Sequence, residues 1–489
     1  MLDGSGVEML LTESKTRRGR PAAAPPAWLV LAVACCGQFM VVLDVSVVNV
    51  ALPAIRTSLG FDPVGLQWVV TAYALTFAGF LLLGGRFADL YGRRRIFLLG
   101  LVLFSVSSLV GGLATTPGML IAARGVQGLG AAVLAPATLT ILTTTFTEPA
   151  RRTWALSVWS AMAAAGGAAG SLIGGLLTDY LSWRWILLIN VPIGAVVVVL
   201  AAYVIGESTR DGERRLDVPG AVLATGGLAA VVYGIVQTQT EGWADPRTLG
   251  GLAAGCVALC AFVVVERRLT RAPLLPLRLF GSRAISVGNL VILLLGASFI
   301  PMWYFLSLYM QNVLHYSAVR AGLGFVPHTF AIIAGAQLAP RVLPRLGARW
   351  LVAASAAAAA AGFLWQAQIT PTGSYVSGLL GPAILMCGGL GLLTTSITST
   401  VTSGAGRTDA GIASGLLTAT RQVGGSLGLA VLATLAGRHA STPAALTAGY
   451  GHVFLAIAAF LALAAVAAPW LPARPRAPMG GDRPQGEPR

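Results

Sequence analysis

The stretch GRFADLYGRRR, Gly85 to Arg95, stands between two apolar runs, at 66–85 and 96–114. Each run has roughly the 20 mainly apolar residues that a helix needs to cross hydrocarbon. The stretch therefore reads as a tight connection between two membrane spans, with Gly92 at the turn and the arginines marking one membrane face. The same reading extends outward in both directions. Apolar runs cut by charged or Pro/Gly/Asp clusters fall at 28–51, 66–85, 96–114, 118–142, 155–178 and 185–206, then at 218–238 and 248–265. Six more follow at 284–309, 321–339, 350–369, 377–402, 410–436 and 450–471. The expected fold is thus all-α, with fourteen transmembrane helices.

Composition excludes the alternatives. Of 489 residues, 56% are apolar and 10% charged, against roughly a quarter charged in soluble domains. The net charge of +15 does not indicate nucleic acid, because the arginines sit in short connections rather than in a basic stripe interleaved with aromatics. Counting from an inner start, 26 of the 33 basic residues fall on the inner segments and 5 on the outer ones. That asymmetry predicts that both termini are cytoplasmic. The run from Trp28 to Leu52 is too long for the core of a cleaved signal and reads as a retained span.

Enzyme signatures are missing. The single lysine, Lys15, follows no glycine-rich loop, so no Walker-type phosphate site is present. The four histidines show no ligand spacing. The five cysteines form no CxxC pair; Cys256 and Cys260 share a helix face without His or acidic neighbours and read as packing residues. No catalytic residue, metal or bound cofactor is expected. The loose GxxGxG after Gly125 lies inside a span, where close helix packing is the simpler reading.

A short internal echo relates two blocks of helices. PRVLPRLGARW, Pro340 to Trp350, follows the tenth span as GRFADLYGRRR follows the second. At a constant offset, Arg86 meets Arg341, Gly92 meets Gly347 and Arg94 meets Arg349. Parallel repeats of this kind mark several transporter folds. The expected organisation is a tail at 1–27, a six-helix bundle at 28–206, a linker with two extra spans at 207–283, a second bundle at 284–471 and a disordered tail at 472–489.

Charges inside spans are costly, about 2.5–3.5 kcal/mol each on insertion scales. Asp44, Arg124 and Arg421 are clearly intramembrane. Asp44 is about 24 Å from the inner end of its helix, and Arg124, on a helix running inward, is about 21 Å above the inner face. The matching depths predict a shared polar cavity in which their interaction changes as Asp44 gains or loses a proton; a static ion pair is the alternative. Gln38, Gln127 and Arg421 are candidate cavity-lining residues. Gly85, Asp89, Gly92, Arg93 and Arg94 form a candidate gating loop in which Asp89 latches a helix N-terminus or an arginine. Gly166, Gly170 and Gly174, with Gly175, make a flat helix face for close approach of another backbone.

Taken together these segments resemble the major facilitator superfamily, and within it the fourteen-helix drug:proton antiporter branch. LDVSVVNVALP (Leu43 to Pro53) is similar to that branch's first-helix signature, GRFADLYGRRR to the superfamily loop motif and ARGVQGLGAA (Ala123 to Ala132) to the fourth-helix motif. SWRWILLINVPIG (Ser182 to Gly194) and GIASGLLTATRQVGGSLG (Gly411 to Gly428) extend the match over nearly the whole chain. The resemblance implies proton coupling at Asp44 and Arg124, gating at Asp89, Gly92, Arg93 and Arg94, and a monomer in the cell (inner) membrane. It implies a secondary transporter that exports hydrophobic or amphiphilic small molecules, with protons as the coupling ion. Two departures stand out: Ser171 follows Gly170 where the antiporter motif has proline, and Pro344 stands opposite Asp89. Proton symport for uptake, or a non-transporting receptor or scaffold, are the competing readings.

Overall fold

The computed structural model describes residues 26–206, 217–238, 240–269, 273, 275, 277–436 and 442–472. Among them there is no strand. Fourteen long helices carry the fold: α1 (Ala27–Leu59), α2 (Trp68–Tyr91), α3 (Arg93–Gly112), α4 (Pro117–Thr145), α5 (Pro149–Tyr180), α6 (Asn190–Val204) and α7 (Val218–Gln237). The rest are α8 (Pro246–Val264), α9 (Arg283–Asn312), α10 (Ala318–Leu346), α11 (Ala348–Gln366), α12 (Gly381–Gly404), α13 (Gly406–Leu435) and α14 (Pro443–Ala467). Thirteen described helices are long and apolar enough to cross a membrane. The fourteenth expected span, 410–436, is α13, in which Arg421, Gln422 and several glycines dilute the apolar content.

The packing repeats with a shift of eight helices. α1 packs on α5 as α9 packs on α13, α2 on α4 as α10 on α12, and α3 on α4 as α11 on α12. Two further contacts, α5 with α10 and α2 with α13, join the first six helices to the last six and are exchanged by the same shift. The short sequence echo is the visible trace of this repeat. Both of its glycines occupy a turn with positive φ, +98° at Gly92 and +74° at Gly347, where a side chain would be strained.

The two inserted helices pack on each other, and α7 also touches α2 and α13. Val232 and Val236 of α7 share an apolar cluster with Leu75 of α2 and Ala430 of α13. α7 thus lies along one seam between the two sets of six. α8 is largely outward-facing, and Cys256 and Cys260 are exposed on it. The expectation that these cysteines are packing residues is therefore corrected: they sit on the apolar outer surface, where a thiol behaves as a small hydrophobe.

One boundary differs from the sequence expectation. α1 continues past Leu52, through Pro53, to a left-handed cap at Gly60. Proline inside a helix removes a hydrogen bond but does not end the helix when the freed carbonyl finds another donor. Here the Asn49 carbonyl, four residues before Pro53, accepts from Ser307 Oγ of α9 at 2.7 Å. The expected span at 185–206 is found as Trp185–Val204, which opens with a short helical turn at Trp185–Leu188 and continues as α6.

Candidate functional site

Five of the first six helices converge on one buried carboxylate. Asp44 of α1 has no exposed surface, and Arg124 of α4 only 2%. Arg124 Nη1 donates to Asp44 Oδ2 at 2.5 Å and to Gln127 Oε1 at 2.6 Å, while its Nε donates to the Val69 carbonyl of α2 at 3.1 Å. Asp44 Oδ1 accepts from Gln127 Nε2 at 2.7 Å and from Asn190 Nδ2 of α6 at 3.1 Å. The same two amides also donate to Ser108 Oγ of α3, at 2.6 and 3.1 Å. The Tyr73 ring lies 4.4 Å from the guanidinium carbon and closes one side of the cluster. A carboxylate with three donors and a guanidinium with three acceptors are the conditions under which charges survive burial.

Glycines make this convergence possible. A Cβ at Gly128 would overlap the Tyr73 carbonyl, and one at Gly130 would come within 2.7 Å of the Phe104 amide. α4 is thereby brought against α2 and α3, so the GxxGxG run serves helix packing.

Beside the cluster is a cavity of about 1370 Å³, lined from both sets of six helices. Arg124 lines it; Asp44 is not among the lining residues and sits behind the guanidinium. Gln38 and Arg421 line it as well, whereas Gln127 does not. The expectation that Gln127 lines the cavity is thus corrected: its amide is 1% exposed and fully used inside the buried cluster. Gln38 Oε1 is buried without a hydrogen-bond partner among the described residues. Phe77, Trp159, Phe299 and Trp303 give the cavity aromatic walls.

One end of the cavity is bordered by Arg86, Arg152, Asp217 and Arg278, close to the connections on the arginine-rich face. At the opposite face the two sets of helices are in contact. Asp179, at the end of α5, accepts the Ala318 and Val319 amides of α10 at 3.1 and 2.8 Å. Gln311 Nε2 of α9 donates to the Val50 carbonyl at 2.9 Å, next to the Ser307–Asn49 bond. The cavity is therefore closed on that face.

The glycine face of α5 packs within the first six helices, and its neighbour Gly175 takes part in the closure. Gly166, Gly170 and Gly174 lie against Phe39, Leu43, Ser46 and Val47 of α1, and a Cβ at Gly174 would stand 2.9 Å from the Val47 Cα. Gly175 faces α10 instead, where a Cβ would stand 2.6 Å from the Ala318 carbonyl. Ser171, the motif departure, pairs its Oγ with Ser46 Oγ at 3.0 Å. In the candidate gating loop, Gly85 lines the cavity and Arg94 Nη2 donates to the Ala202 carbonyl of α6 at 2.5 Å. Arg93 is half-buried at the start of α3. The Asp89 side chain lies outside the described residues.

Asn190, Ser108 and Tyr73 were not singled out from the sequence. Depth is the one signal two of them carry, and it does not single them out: Ser108 is about 22 Å into α3 from the arginine-rich face, the depth band of Asp44, and Asn190 opens α6 near the depth of Arg124.

Residues 34–429 match the Major Facilitator Superfamily. The chain is 51% identical over 472 residues to a cephamycin export protein, CmcT, of Amycolatopsis lactamdurans, covering 96% of this chain and 97% of the relative. It is 40% identical over 448 residues to a puromycin resistance protein, pur8, of Streptomyces alboniger, covering 89% and 88%. Among solved structures, a bacterial homologue of the human lysosomal transporter Spinster, inward-facing and unoccupied, aligns with a TM-score of 0.64. That alignment covers 92% of this chain and 98% of that one at 17% identity, a likeness of fold.

Proposed function

Because the chain belongs to the Major Facilitator Superfamily, we propose that it exports small amphiphilic molecules across the cell membrane in exchange for protons, by alternating access. The single observation that carries this reading is a fully buried Asp44–Arg124 pair directly behind a large aromatic-walled cavity closed on one face. Its relatives' names, a cephamycin export protein and a puromycin resistance protein, support outward transport of antibiotics.

In this reading the arginine-rich face, with both termini, is cytoplasmic, and the cavity loads from that side. The molecule works as a monomer in the bilayer, with no bound cofactor. Asp44 is the proton site. Protonation removes the charge that holds Arg124 Nη1, and the released guanidinium turns toward the cavity it already lines. Proton and substrate then favour opposite states, which is all that exchange requires. An entering proton contributes about 2.3 kcal/mol per 100 mV of membrane potential before any pH difference is added.

The test is gradient-driven flux in proteoliposomes beside a drug-susceptibility panel in an efflux-deficient host. Wild type is expected to load substrate against inward proton flow and to protect the host; Asp44→Asn is expected to do neither, with its thermal unfolding midpoint reporting that it is folded. Full proton-coupled transport by Asp44→Asn would overturn the assignment of the proton site. Loading along the inward proton flow would establish uptake instead.

A further inference from the structure

We propose that the cavity selects amphiphilic organic anions and that Arg421 is the residue that pairs with their carboxylate. The inference rests on the cavity being the transport site, and it adds the chemical class of the cargo.

The charges lining the cavity are five arginines, Arg86, Arg124, Arg152, Arg278 and Arg421, and among the described residues one acid, Asp217. Asp217 sits at the arginine-rich end, where its Oδ1 accepts the Gly220 amide at 2.8 Å and caps α7. Arg86, Arg152 and Arg278 border that same end. Arg124 is committed to Asp44, Gln127 and the Val69 carbonyl. Only Arg421 lies deep in the cavity with no hydrogen-bond or ion-pair partner for its side chain among the described residues. It is about 22 Å along α13 from the arginine-rich end, at 1.5 Å per residue.

A guanidinium at mid-membrane depth without a counter-ion is costly, and a ligand that brings one recovers that cost. The backbone there is fixed. Gly296 of α9 leaves no room for a Cβ against the Arg421 carbonyl, so α9 and α13 are locked together and only the side chain is free to adapt. Phe299, Ile300 and Trp303 line the cavity from α9, the helix packed on α13. A planar fork beside aromatic surface fits a carboxylate attached to an apolar body. A cationic compound meets net positive charge in the same space, and a neutral one offers Arg421 a hydrogen-bond acceptor but no counter-charge.

The experiment measures binding to the purified full-length protein in nanodiscs of zwitterionic lipid. The probes are matched acid, methyl ester and amine triples on naphthyl, indolyl and cephem scaffolds. On at least one scaffold the acid is expected to bind about tenfold or more tighter than its ester, as for a hydrogen bond to a charged group, and the amine weakest. Arg421→Gln is expected to bring the acid to the ester's level, with an unchanged unfolding midpoint, and Arg421→Lys to restore part of the preference. Equal binding of acid and ester on every scaffold, no acid binding at all, or an acid preference surviving in a folded Arg421→Gln would overturn the proposal. Proton-driven export of esters or amines insensitive to Arg421→Gln would overturn the anion site and leave the exporter reading intact. Arg421-dependent acid binding without gradient-driven flux would do the reverse.

Discussion

At the residue, Arg124 is held by geometry as much as by charge. Its Nε reaches the Val69 carbonyl while its Nη1 is shared by Asp44 and Gln127, three acceptors on two sides of one planar group. A lysine ammonium is a point charge on a flexible stem and does not span them. Arg124→Lys is therefore expected to lose gradient-driven transport although it keeps the charge, in a folded protein as judged by its unfolding midpoint; transport within about twofold of wild type would show that charge alone suffices. Gln127→Met makes a contrasting case. It deletes one of two donors to Asp44 Oδ1 and to Ser108 Oγ, and one acceptor of Arg124 Nη1, but leaves the ion pair and the Asn190 amide in place, at about 0.5–1.5 kcal/mol for each hydrogen bond lost. A lowered unfolding midpoint with partial transport is expected. If transport fell as far as in Arg124→Lys, the amide would belong to the coupling itself. The meeting of Asp44 and Arg124 was legible in the sequence because two charges at equal depth in hydrocarbon have few other ways to be compensated. Asn190 and Ser108 were not, because neutral polar residues are tolerated in many places along a span and depth alone does not separate the few that converge.

Among the elements, α5 and α10 form the contact that closes one face. The Asp179 carboxylate accepts two amides at the start of α10, where the helix dipole adds to a charge-assisted hydrogen bond. Asp179→Asn keeps the size and loses the charge, a change of about 0.3–1 kcal/mol in favour of the state open on that face. The expected result is a roughly two- to fivefold faster reaction of an impermeant thiol reagent, added from that face, with a cysteine at the cavity residue Val45. Reaction as slow as in the parent would remove Asp179 from the closure. Gly175 is the complementary position: a Cβ there collides with the α10 backbone, so Gly175→Val is expected to force the same face open. The flat glycine face of α5 was readable from its four-residue spacing. Its partner was not, since spacing predicts that a backbone comes close but not which of thirteen other helices supplies it. Pro53 misled in a related way: the carbonyl it frees is bonded by Ser307 from a helix some 250 residues away in sequence.

Over the whole molecule, the repeat of packing pairs separates two sets of six helices from the contacts that join them. Within each set of six, helices lock through glycines and buried polar bonds. Between the sets, contact at the face opposite the arginines rests on Asp179, Ser307, Gln311 and the Gly175–Ala318 approach. α7 bridges α2 and α13 along one seam, and α8 packs on α7 rather than on the seam itself. On the proposed mechanism, rocking about such an interface exchanges which face is closed while leaving the Asp44 cluster, which lies wholly within the first six helices, intact until Asp44 exchanges its proton. This assigns an orientation that is measurable without knowing the substrate. With the five native cysteines replaced and one cysteine placed at Thr140, a cavity residue toward the arginine-rich end, an impermeant maleimide is expected to react rapidly in inside-out vesicles and slowly in right-side-out ones. If Asp44 is the proton site as proposed, an acidic exterior is expected to narrow the difference, since protonation there would draw the population away from the state described. Equal reaction from both sides at every pH would mean that the closed face does not seal, and rapid reaction only from outside would invert the topology proposed from the arginines.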